Sequence, residues 1–140
     1  MSRIFWDTNL YIYLFERYGE LSKRVERLRR SMLERGDQLL TSTLTLGEIL
    51  VKPLESGDRD LLLKYEQAII ATSLVIPFDV KAARLYAHLR CDRSIRAPDA
   101  VQLACAAAAD VDLFITNDAR LAGKRVEGIH FIVALERAPL

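Results

Sequence analysis

The chain has 140 residues, of which 51% are hydrophobic and 28% charged, and its formal net charge is +1. This length fits one domain, and the apolar content suffices for a buried core, which excludes a largely disordered protein. The charge balance excludes a protein that holds nucleic acid by bulk charge alone, although it permits a local basic patch. We therefore expect one domain over residues 1–140, with a single functional site.

Neither the N-terminus nor the cysteine content indicates a secreted or membrane protein. No apolar run approaches the ~20 residues that cross a bilayer. The first residues reach Asp7 without a small-residue cleavage site, so they do not resemble a secretory signal. Cys91 and Cys105 are too few for a disulfide framework and lack the spacing of a zinc site. A cytoplasmic protein is the expectation.

Short apolar runs alternate with amphipathic stretches along the chain, which predicts strands alternating with helices. In the first half, the predicted elements are a strand over 4–6, a helix capped by Thr8 or Asn9 that ends at Phe15, a helix over 22–35, a strand over 38–41, a helix that begins at Thr43 or Thr45 and is ended by Pro53, and a helix capped by Asp58. In the second half, they are a strand over 74–76, a helix capped by Asp79, an alanine-rich helix with Pro98 in its first turn that ends at Ala109, a strand over 113–116, a short helix from Asp118 to about Gly123, and a strand over 129–133.

This order of elements predicts an α/β fold. Short apolar strands separated by helices are typical of a mainly parallel sheet, here of four to five strands, that is covered by helices on both faces. In such sheets, ligands bind beyond the carboxyl ends of the strands. The functional site is therefore expected at that edge.

Four acidic residues fall where their side chains could meet at this edge. Asp7 ends the first strand, Glu48 lies in the helix after the second strand, Asp99 is in the first turn of the alanine-rich helix, and Asp118 follows the strand over 113–116. Each is flanked by apolar or small residues, whereas surface acids usually have charged neighbours. We call these four residues the acidic cluster.

The acidic cluster predicts a site for a divalent cation. Two carboxylates about 4 Å apart repel by about 4 kcal/mol at an effective dielectric constant of about 20, so clustered acids stay ionised only beside a cation. Carboxylate and water oxygens, with no imidazole or thiolate in the set, favour Mg²⁺ or Mn²⁺ over zinc. Such ions suit phosphodiester hydrolysis, because they lower the pKa of an attacking water.

Each acid also has a purely structural interpretation. Asp7 could cap the first helix, and Asp99 and Asp118 are favourable near helix N-termini. Glu48 is harder to explain in this way, because its apolar neighbours Leu46 and Ile49 predict a buried setting where an unpaired carboxylate is costly. Taken together, the four positions favour the metal site.

Four sequence strings resemble the acidic motifs of the PIN-domain family, in the same order along the chain. They are IFWDTN around Asp7, TLTLGEIL around Glu48, IRAPDAVQLACA around Asp99 and LFITNDARL around Asp118. The likeness runs from Ile4 to about Leu121 and is greatest to the VapC-type toxins of toxin–antitoxin pairs. None of the strings is diagnostic alone, but four in order are a specific signal.

This resemblance implies a fold, an activity and partners. The fold would be a PIN-like three-layer α/β/α arrangement, and the activity a Mg²⁺- or Mn²⁺-dependent endoribonuclease with Asp7, Glu48, Asp99 and Asp118 as metal-site acids. Asp7 and Asp99 would be direct ligands, with Glu48 and Asp118 acting directly or through water. The hydroxyl of Thr116 or Thr8 would help to order the site. The partners would be RNA, a cognate antitoxin and a second copy of the chain.

An RNA substrate also requires cations beside the acids. Arg93 and Arg96 lie in the loop that leads to Asp99, so they are the expected phosphate contacts. Two alternatives to a toxin stay open from the sequence. One is a PIN nuclease of RNA processing or decay that has no antitoxin, and the other is a module that binds RNA or protein without cleaving.

Overall fold

The computed structural model describes residues 1–140 and contains five strands and six α-helices. None of the helices combines the length and apolar character needed to cross a membrane. In chain order the elements are β1 (Arg3–Trp6), α1 (Thr8–Phe15), α2 (Glu20–Arg35), β2 (Gln38–Ser42), α3 (Thr43–Glu55), α4 (Arg59–Thr72), β3 (Leu74–Ile76), α5 (Val80–Arg90), α6 (Ala97–Ala108), β4 (Val111–Thr116) and β5 (Ile129–Ala134), followed by a 3₁₀ turn at Leu135–Arg137.

All five strands form one parallel sheet in the order β3-β2-β1-β4-β5. The central strand β1 pairs with β2 and β4, so that Phe5 lies opposite both Leu40 and Phe114. This confirms the predicted parallel sheet of four to five strands. Because the strands are parallel, their carboxyl ends meet at one edge, where β1 ends at Trp6, β2 at Ser42 and β4 at Thr116.

Helices cover both faces of the sheet, which gives the expected three layers. Successive side chains of a strand point to opposite faces. Phe5 accordingly packs among residues of α6 on one face, with its ring stacked on Phe114 at a centroid distance of 5.1 Å. On the other face, Trp6 packs among residues of α1 and α2 and meets Tyr11 edge-on at 5.4 Å. The two buried layers fix the strand ends that carry the acids.

Local predictions differ from the structure at three places. Asp7 caps α1, rather than Thr8 or Asn9. The prediction that Pro53 ends a helix is wrong, since α3 continues to Glu55 with the Pro53 ring buried, and a proline removes only one helical hydrogen bond. The predicted helix from Asp118 to Gly123 is absent, and that segment forms consecutive turns.

Candidate active site

Asp7 lies at the centre of the carboxyl edge of the sheet and is 8% exposed. One of its oxygens accepts a hydrogen bond of 2.8 Å from the hydroxyl of Thr116, and the other accepts one of 2.9 Å from the backbone N–H of Thr8. Burial raises the pKa of the Asp7 carboxyl, and the nearby charge of Glu48 adds to that rise, although the hydrogen bonds oppose it. A buried carboxylate with this pKa direction favours either a proton or a cation beside it.

Gln102 connects Asp7 to the neighbouring helices. Its side-chain nitrogen lies 3.2 Å from Asp7 Oδ1, 3.1 Å from Thr8 Oγ1 and 2.7 Å from Thr45 Oγ1. Its side-chain oxygen accepts a hydrogen bond from the hydroxyl of Ser42. The amide is buried and thereby holds the starts of α1 and α3 against α6.

The sequence interpretation did not include Gln102. A signal was nevertheless present, because Gln102 is the only strongly polar side chain between Ala100 and Ala109. It also follows Asp99 by three residues, which places both side chains on the same face of α6.

Thr8 positions Glu48. The Thr8 hydroxyl donates a hydrogen bond of 2.7 Å to Glu48 Oε1 and lies 3.1 Å from the Thr45 hydroxyl. Glu48 itself is exposed, so the expectation of a buried setting was wrong. On α3 the apolar side chain of Ile49 turns inward, while the Glu48 carboxylate points outward toward solvent. Its hydrogen bond to Thr8, rather than burial, brings it to the carboxyl edge of the sheet.

Asp99 and Asp118 complete the acidic cluster. Partial burial of Asp99 and the negative charges of Asp7 and Asp118 raise the pKa of the Asp99 carboxyl, while Arg120 and Arg96 oppose that rise. Arg120 Nη2 lies 3.8 Å from Asp99 Oδ2 and 2.5 Å from Asp118 Oδ2. The Thr116 hydroxyl bonds to both Asp7 and the backbone N–H of Asp118, so acids from three separate segments have come together. The structure therefore brings all four predicted acids to one edge.

Arg120 holds the carboxylate of Asp118. Its Nε and Nη2 lie 3.0 and 2.5 Å from the two oxygens of Asp118, and its backbone N–H donates to Asp118 Oδ1 at 3.0 Å. The pKa of Asp118 is lowered, chiefly by this side-chain hydrogen bond. Nothing in the sequence pattern indicated Arg120, since the predicted helix over these residues would have directed its side chain elsewhere.

The two predicted phosphate contacts differ in position. Arg96 caps α6, and its charge lowers the pKa values of both Asp99 and Asp118, so it lies near the acidic cluster. Arg93 is exposed in the turns before α6, and no hydrogen bond or ion pair joins it to the acids. Of the two, only Arg96 is brought beside the acids.

The residues present suit a hydrated divalent ion better than a fully protein-ligated one. No three His, Cys, Asp or Glu side chains lie close enough to hold one ion. Mg²⁺ usually keeps several waters and binds through one or two carboxylates, so this spacing is compatible with it. The raised pKa values of Asp7 and Asp99 indicate repulsion and burial that a cation would relieve.

A family model and several solved structures match this chain. The model of the PIN domain matches residues 4–126. No curated protein sequence matches significantly. The strings that suggested the family in the sequence all lie inside the matched range.

Several of the similar structures are VapBC complexes from bacteria. The DNA-bound VapBC complex of Salmonella typhimurium matches with a TM-score of 0.73 and 19% identity, covering 96% of this chain and 99% of that one. VapBC2 of Rickettsia felis, bound to a promoter DNA fragment, matches with a TM-score of 0.71 and 17% identity, covering 94% of this chain and 98% of that one. VapBC-5 of Mycobacterium tuberculosis matches with a TM-score of 0.62 and 22% identity, covering 96% of this chain and 99% of that one. At these identities, the likeness establishes a shared fold.

Proposed function

This chain belongs to the PIN-domain family, and from that premise we propose that it is a Mg²⁺- or Mn²⁺-dependent endoribonuclease, the toxin of a toxin–antitoxin pair. The observation that carries the proposal is the convergence of Asp7, Asp99 and Asp118 from three chain segments. Two contacts support this convergence, since the Thr116 hydroxyl bonds to both Asp7 and the Asp118 N–H, and the Arg120 guanidinium lies beside both Asp118 and Asp99. Residues 1–140 would act as one nuclease domain in the cytoplasm.

The proposed chemistry assigns a role to each acid. A bound divalent ion would neutralise phosphate charge and lower the pKa of a water molecule that attacks phosphorus. Asp7 and Asp99 would hold this ion, while Glu48 and Asp118 would contact it directly or through its waters. Thr116 and Gln102 fix the two oxygens of Asp7, and Thr8 fixes Glu48, so the acids are oriented before substrate arrives.

RNA binding in this proposal depends on cations around the acids. Phosphate groups are repelled by a carboxylate cluster, so positive side chains are needed beside it. Arg96 at the start of α6 is well placed for a phosphate contact, and Arg93, exposed in the turns before α6, would contact RNA farther from the acids. We assign both as RNA contacts.

The toxin assignment and its protein partners rest on the structural neighbours and on an apolar surface. The similar structures are described as VapBC toxin–antitoxin complexes, which supports a cognate antitoxin for this chain. Leu54 of α3 and Leu63 of α4 are 66% and 42% exposed and line one depression beside Pro53. Such a surface suits a protein partner, either the antitoxin or a second copy in a homodimer.

Cleavage of RNA by the purified protein tests the activity. Wild type should cut single-stranded RNA internally when Mg²⁺ or Mn²⁺ is present and should be inactive in EDTA. Asp99→Asn should reduce the rate by at least about 100-fold, since it removes a proposed metal-binding charge. Asp58→Asn is the matched control, because Asp58 caps α4 through the Leu61 N–H and bonds to none of the four acids, and asparagine has the same shape and caps equally well. Equal rates for wild type and Asp99→Asn would contradict the proposal.

A growth experiment separates a toxin from a processing nuclease. Expression of the wild-type chain alone should arrest bacterial growth, and Asp99→Asn should relieve the arrest at equal protein levels. Asp58→Asn should remain toxic. Active enzyme that leaves growth unaffected would contradict the toxin assignment while leaving the nuclease assignment in place.

A further inference from the structure

We propose that Arg120 is a substrate-binding residue of this site, held in place by Asp118 to contact a phosphate of the RNA next to the bond that is cut. This inference rests on the proposed ribonuclease function and adds a residue that the family resemblance did not supply. It also gives Asp118 a second role beside its contact with the waters of the ion, which is to orient the Arg120 guanidinium.

The Arg120 side chain is held in a fixed orientation by Asp118. Asp118 receives three hydrogen bonds from Arg120, two of them from the guanidinium in a two-point fork. A fork of this kind fixes the plane of the guanidinium as well as its position. The same Asp118 is anchored in turn, because its backbone N–H donates to the buried Thr116 hydroxyl at 3.0 Å. Arg120 is therefore aligned with the edge of the sheet through two successive contacts.

The Arg120 guanidinium keeps hydrogen-bond donors that Asp118 does not use. An arginine side chain has five N–H groups, and the fork to Asp118 uses one on Nε and one on Nη2. The remaining three lie on Nη1 and Nη2, and the side chain is 50% exposed. These groups are available to a ligand, and a planar guanidinium matches the paired oxygens of a phosphate.

The Arg120 guanidinium also lies beside Asp99. Arg120 Nη2 is 3.8 Å from Asp99 Oδ2. Asp99 is largely buried, with 19% of its side chain exposed, and it is one of the two proposed direct ligands of the ion. A phosphodiester approaching Asp99 would meet the carboxylates of the acidic cluster first, and a guanidinium at this distance offsets their repulsion. Arg120 is thus placed beside the expected position of the reacting phosphate.

Cleavage kinetics at several salt concentrations test the inference. Arg120→Gln should lower kcat/KM for single-stranded RNA about tenfold, mainly through a higher KM, because it removes one phosphate contact. The slope of log kcat/KM against log salt should become shallower by about 0.7, the value for one phosphate contact on a single strand. Arg120→Lys keeps the charge but loses the two-point hydrogen bond to Asp118, so its kcat/KM should lie between those of wild type and Arg120→Gln.

Arg30→Gln is the matched control for lost charge. Arg30 is exposed on α2, which leads into the start of β2, the edge opposite the acids. The KM of the Arg30→Gln enzyme, and its slope of log kcat/KM against log salt, should equal those of wild type. Calorimetry with Mn²⁺ should show that Arg120→Gln binds the ion at least as tightly as wild type, since a neighbouring positive charge has been removed.

Two results would overturn the inference while leaving the ribonuclease in place. One is an Arg120→Gln enzyme with the KM and salt slope of Arg30→Gln. The other is a loss of Mn²⁺ affinity in Arg120→Gln, which would mean that Arg120 acts by organising the acids. A wild-type protein that does not cleave RNA at all would overturn the proposed function and this inference with it.

Discussion

The hydroxyl of Thr116, at the end of β4, donates a hydrogen bond of 2.8 Å to the carboxylate of Asp7, directly after β1. These residues are 109 positions apart in the chain and meet because β1 and β4 pair in parallel, with Trp6 opposite Ile115. The same hydroxyl accepts the backbone N–H of Asp118. One buried threonine therefore sets the positions of two acids.

Thr116→Val should disturb both acids at once. Valine has nearly the same shape, so the packing should persist while Asp7 and the Asp118 N–H each lose a partner. The free energy of unfolding should fall by about 1–3 kcal/mol, the usual cost of an unsatisfied buried group. Affinity for Mn²⁺ should fall as well. Urea denaturation and calorimetry measure the two effects.

Thr72→Val is the control for this substitution. The Thr72 hydroxyl is exposed and bonds only to Ala68 O and the Ser73 hydroxyl within its own segment. It should change stability by less than about 0.5 kcal/mol and leave Mn²⁺ affinity unchanged. If Thr116→Val matched this control in both measurements, the threonine would not be ordering the site.

Asp7 should make the metal-free protein less stable as the pH rises. Burial raises its folded-state pKa above the ordinary 3.8, so the folded state binds the proton more tightly than the unfolded state. Stability is then lost as the pH increases from about 3.8 through the raised value. Asp99 has a shift in the same direction and adds to the trend.

Asp7→Asn tests this pH dependence, because asparagine has no charge to bury. In EDTA, its stability relative to wild type should increase as the pH rises through that window and then stay constant up to neutrality. Urea denaturation at a series of pH values provides the measurement. A stability difference that is independent of pH would mean that Asp7 titrates normally in the folded protein.

Gln102→Met should show how much the buried amide contributes. Methionine is similar in length and flexible, so it can fill the space without donating or accepting the same bonds. Asp7, Thr45 and Ser42 would each lose a contact. The expected loss is about 2 kcal/mol or more, together with weaker Mn²⁺ binding. Gln67→Met, at an exposed position on α4, should change neither quantity.

The sequence predicted those features of the site that depend on the order of elements. Asp7 and Asp118 follow apolar strands, and Asp99 begins a helix, so a parallel sheet brings them to one edge whatever the details of packing. Gln102 and Arg120 were missed because their roles depend on side-chain contacts across the sheet edge and within a turn. The exposure of Glu48 was mispredicted because its apolar neighbours in the sequence, such as Ile49, point to a different side of α3 from Glu48 itself.

The same distinction holds for the fold. Strand positions were predictable because an apolar run of only three to five residues, lying between two predicted helices, is too short for a helix and fits a buried strand. The segment after Asp118 was predicted as helical because aspartate favours the start of a helix and alanine and leucine favour its interior. The fork between Asp118 and Arg120 stabilises turns there instead, which is a contact that local propensity does not register.

Gly128→Ala should test the packing between α6 and the segment before β5. A Cβ at this position would lie 2.7 Å from the carbonyl oxygen of Ala107, and φ is +93°. Backbone strain and the close contact should together cost about 2–4 kcal/mol. Gly57→Ala has a similar φ of +67° but open space around it, and should cost only about 1 kcal/mol. Thermal or urea denaturation compares them, and equal losses would mean that the contact with Ala107 is relaxed in solution.

Calorimetric titration of the purified protein with Mn²⁺ tests the central claim most directly, because it measures whether an ion binds at the acidic cluster through Asp7 and Asp99. Wild type and Asp58→Asn should bind Mn²⁺ with the same affinity, and Asp7→Asn and Asp99→Asn should each bind at least about tenfold more weakly. Equal Mn²⁺ affinity in all four proteins, or no binding by wild type, would contradict the account.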